Sequence, residues 1–148
     1  MTLVECTLPG DPHPKGRPRA SLRGGNVHMR TPAATKAWEA KAAWLLRSAS
    51  VGVALSGPVR LYVDAIKSRP SGGGYPSRQM DPEGLCWRAR KPDLDNVVKA
   101  VADALEKAGI IRNDSQIADV QCRSLWAPRG AAGCVVVRLE IIDREGAP

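Results

Sequence analysis

The chain has 148 residues, a formal net charge of +7 and 43% hydrophobic residues, with four tryptophans, two tyrosines and no phenylalanine. That length suits a single domain over 1–148 with a real core, packed mainly by aliphatic side chains. No apolar run is as long as a membrane span and the amino terminus lacks a signal-peptide hydrophobic region, so the chain reads as soluble and cytoplasmic, with no membrane partner.

The first element is a strand over Thr2 to Leu8, with Val4, Cys6 and Leu8 on one face. A basic, Gly- and Pro-rich segment follows at about 11–36, carrying Lys15, Arg17, Arg19, Arg23, Arg30 and Lys36 against Asp11 alone. It reads as a flexible loop. His13 and His28 have no acidic or cysteine neighbour at ligand spacing, so they read as solvated loop histidines, with nucleic-acid contact as the alternative. Thr31-Pro32 opens a helix that shows Trp38, Ala42, Leu45, Leu46 and Ala49 on its apolar face and ends before Gly52.

Val59 to Ile66 alternates, placing Val59, Leu61, Val63 and Ala65 inward and Arg60, Tyr62 and Asp64 outward. Asp64 reads as an exposed strand acid, the alternative being an approach to a site from the opposite face. A second basic segment at about 67–92 holds Lys67, Arg69, Arg78, Arg88, Arg90 and Lys91 against Asp81 and Glu83, and its stretch Ser68 to Gly84 reads as mobile without ligand. Trp87 lies between Cys86 and Arg88. Partial burial against the core is its first reading, and stacking on an unpaired base or wedging open a branched duplex is the second.

From Asp93 or Leu94 the residues Leu94, Val97, Val98, Val101, Leu105 and Ala108 form one apolar helical stripe, stopped by Gly109. Ile117 to Trp126 and Cys134 to Ile142 flank Pro128-Arg129-Gly130 and read as a long β-hairpin, with Val135, Val137, Leu139 and Ile141 on its core face. The order β-α-β-α-β-β predicts an α+β fold, a small mixed sheet with two helices packed on it. The cysteines show no CxxC or zinc spacing. Cys6, Cys122 and Cys134 read as buried free thiols, and Cys86 as a loop residue open to solvent.

The two basic segments hold twelve positive and three negative residues, a net +9, which leaves −2 for the rest of the chain. Positive loops of that kind suit a phosphate backbone, with Lys15, Arg17, Arg19, Arg23, Arg30, Arg88, Arg90 and Lys91 as candidate contacts. Solvated surface is the competing reading. Between the segments and the second helix stands Lys91-Pro92-Asp93-Leu94-Asp95-Asn96, followed by Lys99 and by Asn113-Asp114-Ser115. Asp95 and Lys99 are one turn apart on the same side of the helix. Asp114 joins them if the following strand returns along the helix. Carboxylates offer the hard oxygen ligands magnesium takes, magnesium neutralises a phosphodiester and activates water, and an ammonium adds charge stabilisation. Against this, aspartates at a helix start often only cap it and offset its dipole, and Asp95 to Lys99 is ordinary spacing for a helical ion pair.

The string KPDLDNVVKAVADALEKAGIIRNDSQIADV resembles the signature of the RusA family of Holliday junction resolvases, endonucleases of bacteria and their phages, and Pro14 to Arg19 with Thr31 to Thr35 is similar to the family's amino-terminal stretch. The resemblance covers about Leu3 to Ile142, with only Asp93 to Asp119 strongly diagnostic. It implies a RusA-like fold, with Asp93, Asp95, Lys99 and Asp114 as catalytic residues. Asp93, Asp95 and Asp114 would ligate magnesium, for which manganese can stand in. Asn113 departs from it, lying where many relatives carry another acid. The resemblance further implies a homodimer cutting four-way branched DNA in paired incisions. The readings left beside it are a nuclease for flaps or forks and a noncatalytic DNA-binding module.

Overall fold

The computed structural model describes residues 1–54, 56–71 and 83–143. Its elements in chain order are β1 (Thr2–Pro9), β2 (Arg19–Arg23), β3 (Asn26–Arg30), α1 (Ala33–Ala49), β4 (Val59–Lys67), β5 (Cys86–Trp87), α2 (Leu94–Lys107), β6 (Ile117–Trp126) and β7 (Cys134–Ile141). A mixed sheet runs in the order β1-β7-β4-β6-β5, while β2 and β3 pair only with each other.

The central strand β4 explains the topology. Its inward residues Val59, Leu61, Val63 and Ala65 are fully buried, and both its edges are taken, by β7 antiparallel and by β6 parallel. A parallel partner requires a crossover, and α2 supplies it. The long hairpin expected of Ile117–Trp126 and Cys134–Ile142 is therefore absent, because β4 lies between the two strands. The turn residues Pro128-Arg129-Gly130 serve a wider connection.

Helix α2 forms where its apolar stripe predicts. Val97, Val101 and Leu105 are fully buried against the sheet, Ala108 nearly so, and Leu94 and Val98 pack at the border. Gly109 ends it at φ +70°, donating its N–H to the Glu106 carbonyl at 2.9 Å, a left-handed position that favours glycine. In α1 the buried face is Ala42, Ala43 and Leu46, with Trp38 and Leu45 half-buried. Ala49, expected on that face, turns to solvent. Arg47 at the end of α1 donates Nη1–H to the Ala108 carbonyl at 2.7 Å, tying the two helix ends together. Both helices thus cover one face of the sheet.

Among the described residues no helix covers the second face. There Arg123 makes two hydrogen bonds to Asp64 at 2.7 and 2.6 Å, and the Arg138 guanidinium lies 4.0 Å from the Tyr62 ring centre. Asp64 is thus a strand acid on the face away from the helices, held in an ion pair. The open face also accounts for Cys122, which is exposed rather than buried, while Cys6, Cys86 and Cys134 are half-buried and all four are free. Among the described residues no helix is long and apolar enough to cross a membrane.

The first basic segment and the described part of the second are more ordered than a loop reading allows. The first contains the β2–β3 ribbon, with Arg19 opposite Arg30 and Gly24-Gly25 at the turn, both glycines at positive φ. His13 is not a solvated loop histidine: its ring stacks on Trp38 with centres 6.0 Å apart, and Nε2 lies 3.2 Å from Thr35 Oγ1. In the second segment β5 adds an edge strand to β6. The expected mobility of Ser68 to Gly84 falls largely on residues 72–82, outside the described residues.

Candidate active site at the mouth of the second helix

Lys91-Pro92, a cis peptide, leads into α2 through Asp93, which occupies the N-cap position with extended backbone but makes no side-chain cap hydrogen bond. Asp95 follows in the first turn. Both are exposed, and among the described residues neither takes part in an ion pair. A side-chain cap and an Asp95–Lys99 pair therefore do not describe this site, although both carboxylates still offset the helix dipole.

Lys99 turns instead to two other carboxylates. Its Nζ lies 2.5 Å from Asp114 Oδ2 and 3.2 Å from Asp103 Oδ1. Asp114 arrives there on a short 3-10 turn, Asp114–Gln116, whose geometry is locally encoded. Asn113 Oδ1 accepts the Ser115 N–H at 2.9 Å, and Gln116 Oε1 accepts the N–H groups of Arg112 and Asn113 at 2.7 and 3.1 Å. Gln116 Nε2 donates in turn to the carbonyls of Ala54 and Gly57 at 3.1 and 3.2 Å. The return of the chain to the helix thus brings Asp114 beside Lys99. The Lys99 ammonium holds the Asp114 carboxyl below its ordinary range, and Asp114 above all raises the Lys99 ammonium.

Asp103, absent from the sequence candidates, joins this cluster from four residues along α2. Its Oδ2 lies 2.6 Å from Lys15 Nζ, an ion-pair approach outside hydrogen-bond angles, so the contact is one of charge. Lys15 also faces Glu39 at 3.7 Å, and its backbone N–H donates to the Asn96 carbonyl at 3.1 Å. Lys15 is thus half-buried scaffold between the amino-terminal segment and α2, not a free loop cation. The signal for Asp103 was its i+4 spacing from Lys99.

The structure brings together Lys99, Asp103 and Asp114 but does not gather Asp93, Asp95 and Asp114. Among the described residues no group of three or more His, Cys, Asp or Glu stands close enough to hold a metal ion. The oxygen donor set itself is of the kind magnesium takes, and the free carboxylates of Asp93 and Asp95 are its accessible members.

A cleft of about 440 Å³ opens beside Asp93, lined by Lys15, Lys67, Lys91 and Asn96 among others. Lys67, at the end of β4, is a cation there that the sequence candidates left out. Of those candidates, Arg17, Arg19, Arg23, Arg30, Arg90 and Lys91 are exposed. Arg88 is not: it is only 5% exposed, stacks 5.7 Å from the Trp126 ring centre and donates to the Arg90 carbonyl. Its backbone N–H donates to the Ser124 carbonyl at 2.9 Å, so it continues the edge pairing of β5. Trp87, expected partly buried, is 67% exposed. Consecutive side chains of a strand point to opposite sides, which sends Trp87 outward as Arg88 goes inward.

The family model described as endodeoxyribonuclease RusA matches residues 9–140. An uncharacterized protein YqaN of Bacillus subtilis (strain 168) is 31% identical over 147 residues, 98% of each chain. The crossover junction endodeoxyribonuclease RusA of Aquifex aeolicus (strain VF5) is 32% identical over 120 residues, covering 81% of this chain and 79% of the relative.

Proposed function

Because this chain belongs to the RusA family of endodeoxyribonucleases, enzymes that cut within DNA, we propose that it resolves four-way junctions by magnesium-dependent, paired phosphodiester hydrolysis. The observation that carries this reading is the pair of exposed carboxylates, Asp93 and Asp95, engaged in neither a cap nor an ion pair and followed one turn later by Lys99. Exposed carboxylates beside a lysine-lined cleft offer oxygen ligands to a cation where positive charge also meets a phosphate backbone.

Asp93, Asp95 and Asp114 would hold magnesium, or manganese in its place, with Asp114 parting from Lys99 to do so. When bound, the metal supplies charge neutralisation at the phosphate and a water of lowered pKa. The chain's own groups do the rest. Lys67 and Lys91 in the cleft, with Arg19, Arg23 and Arg30 on the β2–β3 ribbon, draw in and orient the backbone. Lys99 places an ammonium beside the phosphate as negative charge develops. A homodimer is the proposed acting species, because a four-way junction presents two equivalent strands and both must be cut.

Labelled four-way junction, flap and plain duplex, each incubated with magnesium and with calcium, test the reading. Cutting of the junction in magnesium, with binding but no cutting in calcium, is expected. Equal or faster cutting of the flap would make the chain a flap or fork nuclease, and binding without cutting under every condition would make it a noncatalytic module.

A further inference from the structure

Lys99 is gripped from two sides, by Asp114 on the incoming turn and by Asp103 on its own helix. A lysine paired with Asp114 alone would be bound to the one carboxylate that has other work, each withdrawing the other from the phosphate. A second carboxylate changes that balance. Asp103 is itself fixed, its side chain only 18% exposed and its other oxygen facing Lys15, which is anchored to α2 through Asn96. Resting on the nuclease reading of this site, we propose that Asp103 is a positioning residue: it keeps the Lys99 ammonium on the α2 face beside the reacting phosphate when Asp114 changes partner. An isolated i,i+4 pair on an exposed helix contributes only a few tenths of a kcal/mol. The arrangement here differs because the carboxylate is held by a second cation and the ammonium by a second anion.

The test compares the parent protein with Asp103→Asn, Asp103→Glu and, as a control for loss of a surface ion pair, Arg123→Gln, whose guanidinium pairs with Asp64 on the sheet face away from the helices. Asp103→Asn is expected to slow single-turnover junction cutting by about tenfold or more, the scale of a displaced transition-state charge, while junction binding in chelator and the unfolding midpoint stay close to the parent. Asp103→Glu should recover most of the rate and Arg123→Gln should keep it. Independently of cutting, the Lys99 ammonium signal in nitrogen-15 NMR, assigned with Lys99→Arg, should lose exchange protection in Asp103→Asn. A cutting rate within threefold of the parent, or one that falls only in step with folded fraction, would overturn the role. Failure of the parent itself to cut any branched DNA would count against the nuclease reading alone, and the NMR arm would still decide whether Asp103 holds Lys99: an unchanged signal refutes it.

Discussion

Asp95 and Asp114 carry the same charge in opposite surroundings, the first exposed and unpaired, the second drawn against Lys99 at 2.5 Å. Replacing either by asparagine should reduce cutting by about 10²-fold or more, as loss of a group acting on transition-state charge does, and leave junction binding in chelator equal or tighter because a repulsive charge is gone. Single-turnover rates and a binding titration check both halves, and cutting within threefold of the parent would remove that residue from the site. The shifts of the Lys99–Asp114 pair also fix a pH expectation. Asp114 is lowered from 3.8, so its share of the pair's stability is present above that value and lost only as pH falls through the still lower folded value. Lys99 is raised from 10.5, so its share is present below that value and lost as pH rises through the higher folded one. The pair is therefore charged throughout the neutral range, and between about pH 6 and 9 any inflection in the cutting rate should arise elsewhere. Titration of the Lys99 ammonium or the Asp114 carboxyl between those pH values, followed by NMR in metal-free protein, would contradict this.

On the β2–β3 ribbon Arg19 stands opposite Arg30, with Arg23 at the other end of the same strand, and like charges directly across a strand pair are destabilising. A two-stranded ribbon is marginal on its own, so that repulsion suits an element that meets an anion. Changing Arg19 and Arg30 to alanine should weaken binding to junction and duplex alike and flatten the dependence of log K on log salt by up to about one unit per lost phosphate contact. An unchanged slope would make the ribbon solvated surface. Elements of this kind show where the sequence was legible. Helix α2 was, because its stripe, its aspartate-rich start and Gly109 are all local signals that agree. The ribbon carried a local signal too, Gly24-Gly25 between two short runs, but its charge and the prolines before it favoured a loop. The neighbours of β6 were not legible, since whether a strand pairs with β4 or β7 depends on contacts distant in sequence, and the Pro128-Arg129-Gly130 turn fits either. The approach of Asp114 to Lys99 was a hypothesis on sequence alone and became concrete only through Gln116, whose side chain ties the turn to Ala54 and Gly57.

At the scale of the molecule, one chain presents one set of Asp93, Asp95, Lys99 and Asp114, while a four-way junction presents two strands to cut. If the acting species is the proposed homodimer and each protomer carries a complete site, a mixed dimer of one parent and one Asp95→Asn chain should bind the junction as the parent does, because the substitution removes no charge that attracts DNA. It should then nick one strand and stall. A mixed dimer purified through two different tags, assayed under single-turnover conditions on a junction whose nicked and resolved products separate on native and denaturing gels, reads this directly. Full resolution without subunit exchange would refute one site per protomer. No cutting would instead mean that the two incisions are obligatorily coupled, because a site shared across the interface would still leave one of the two intact. A site shared between protomers has a physical footing, since Asp114 is committed to Lys99 and the three aspartates do not gather on their own, and a second mixed dimer, Asp95→Asn with Asp114→Asn, reads it. That dimer should nick one strand if each site takes its Asp114 from the partner, and cut none if each site closes within one chain.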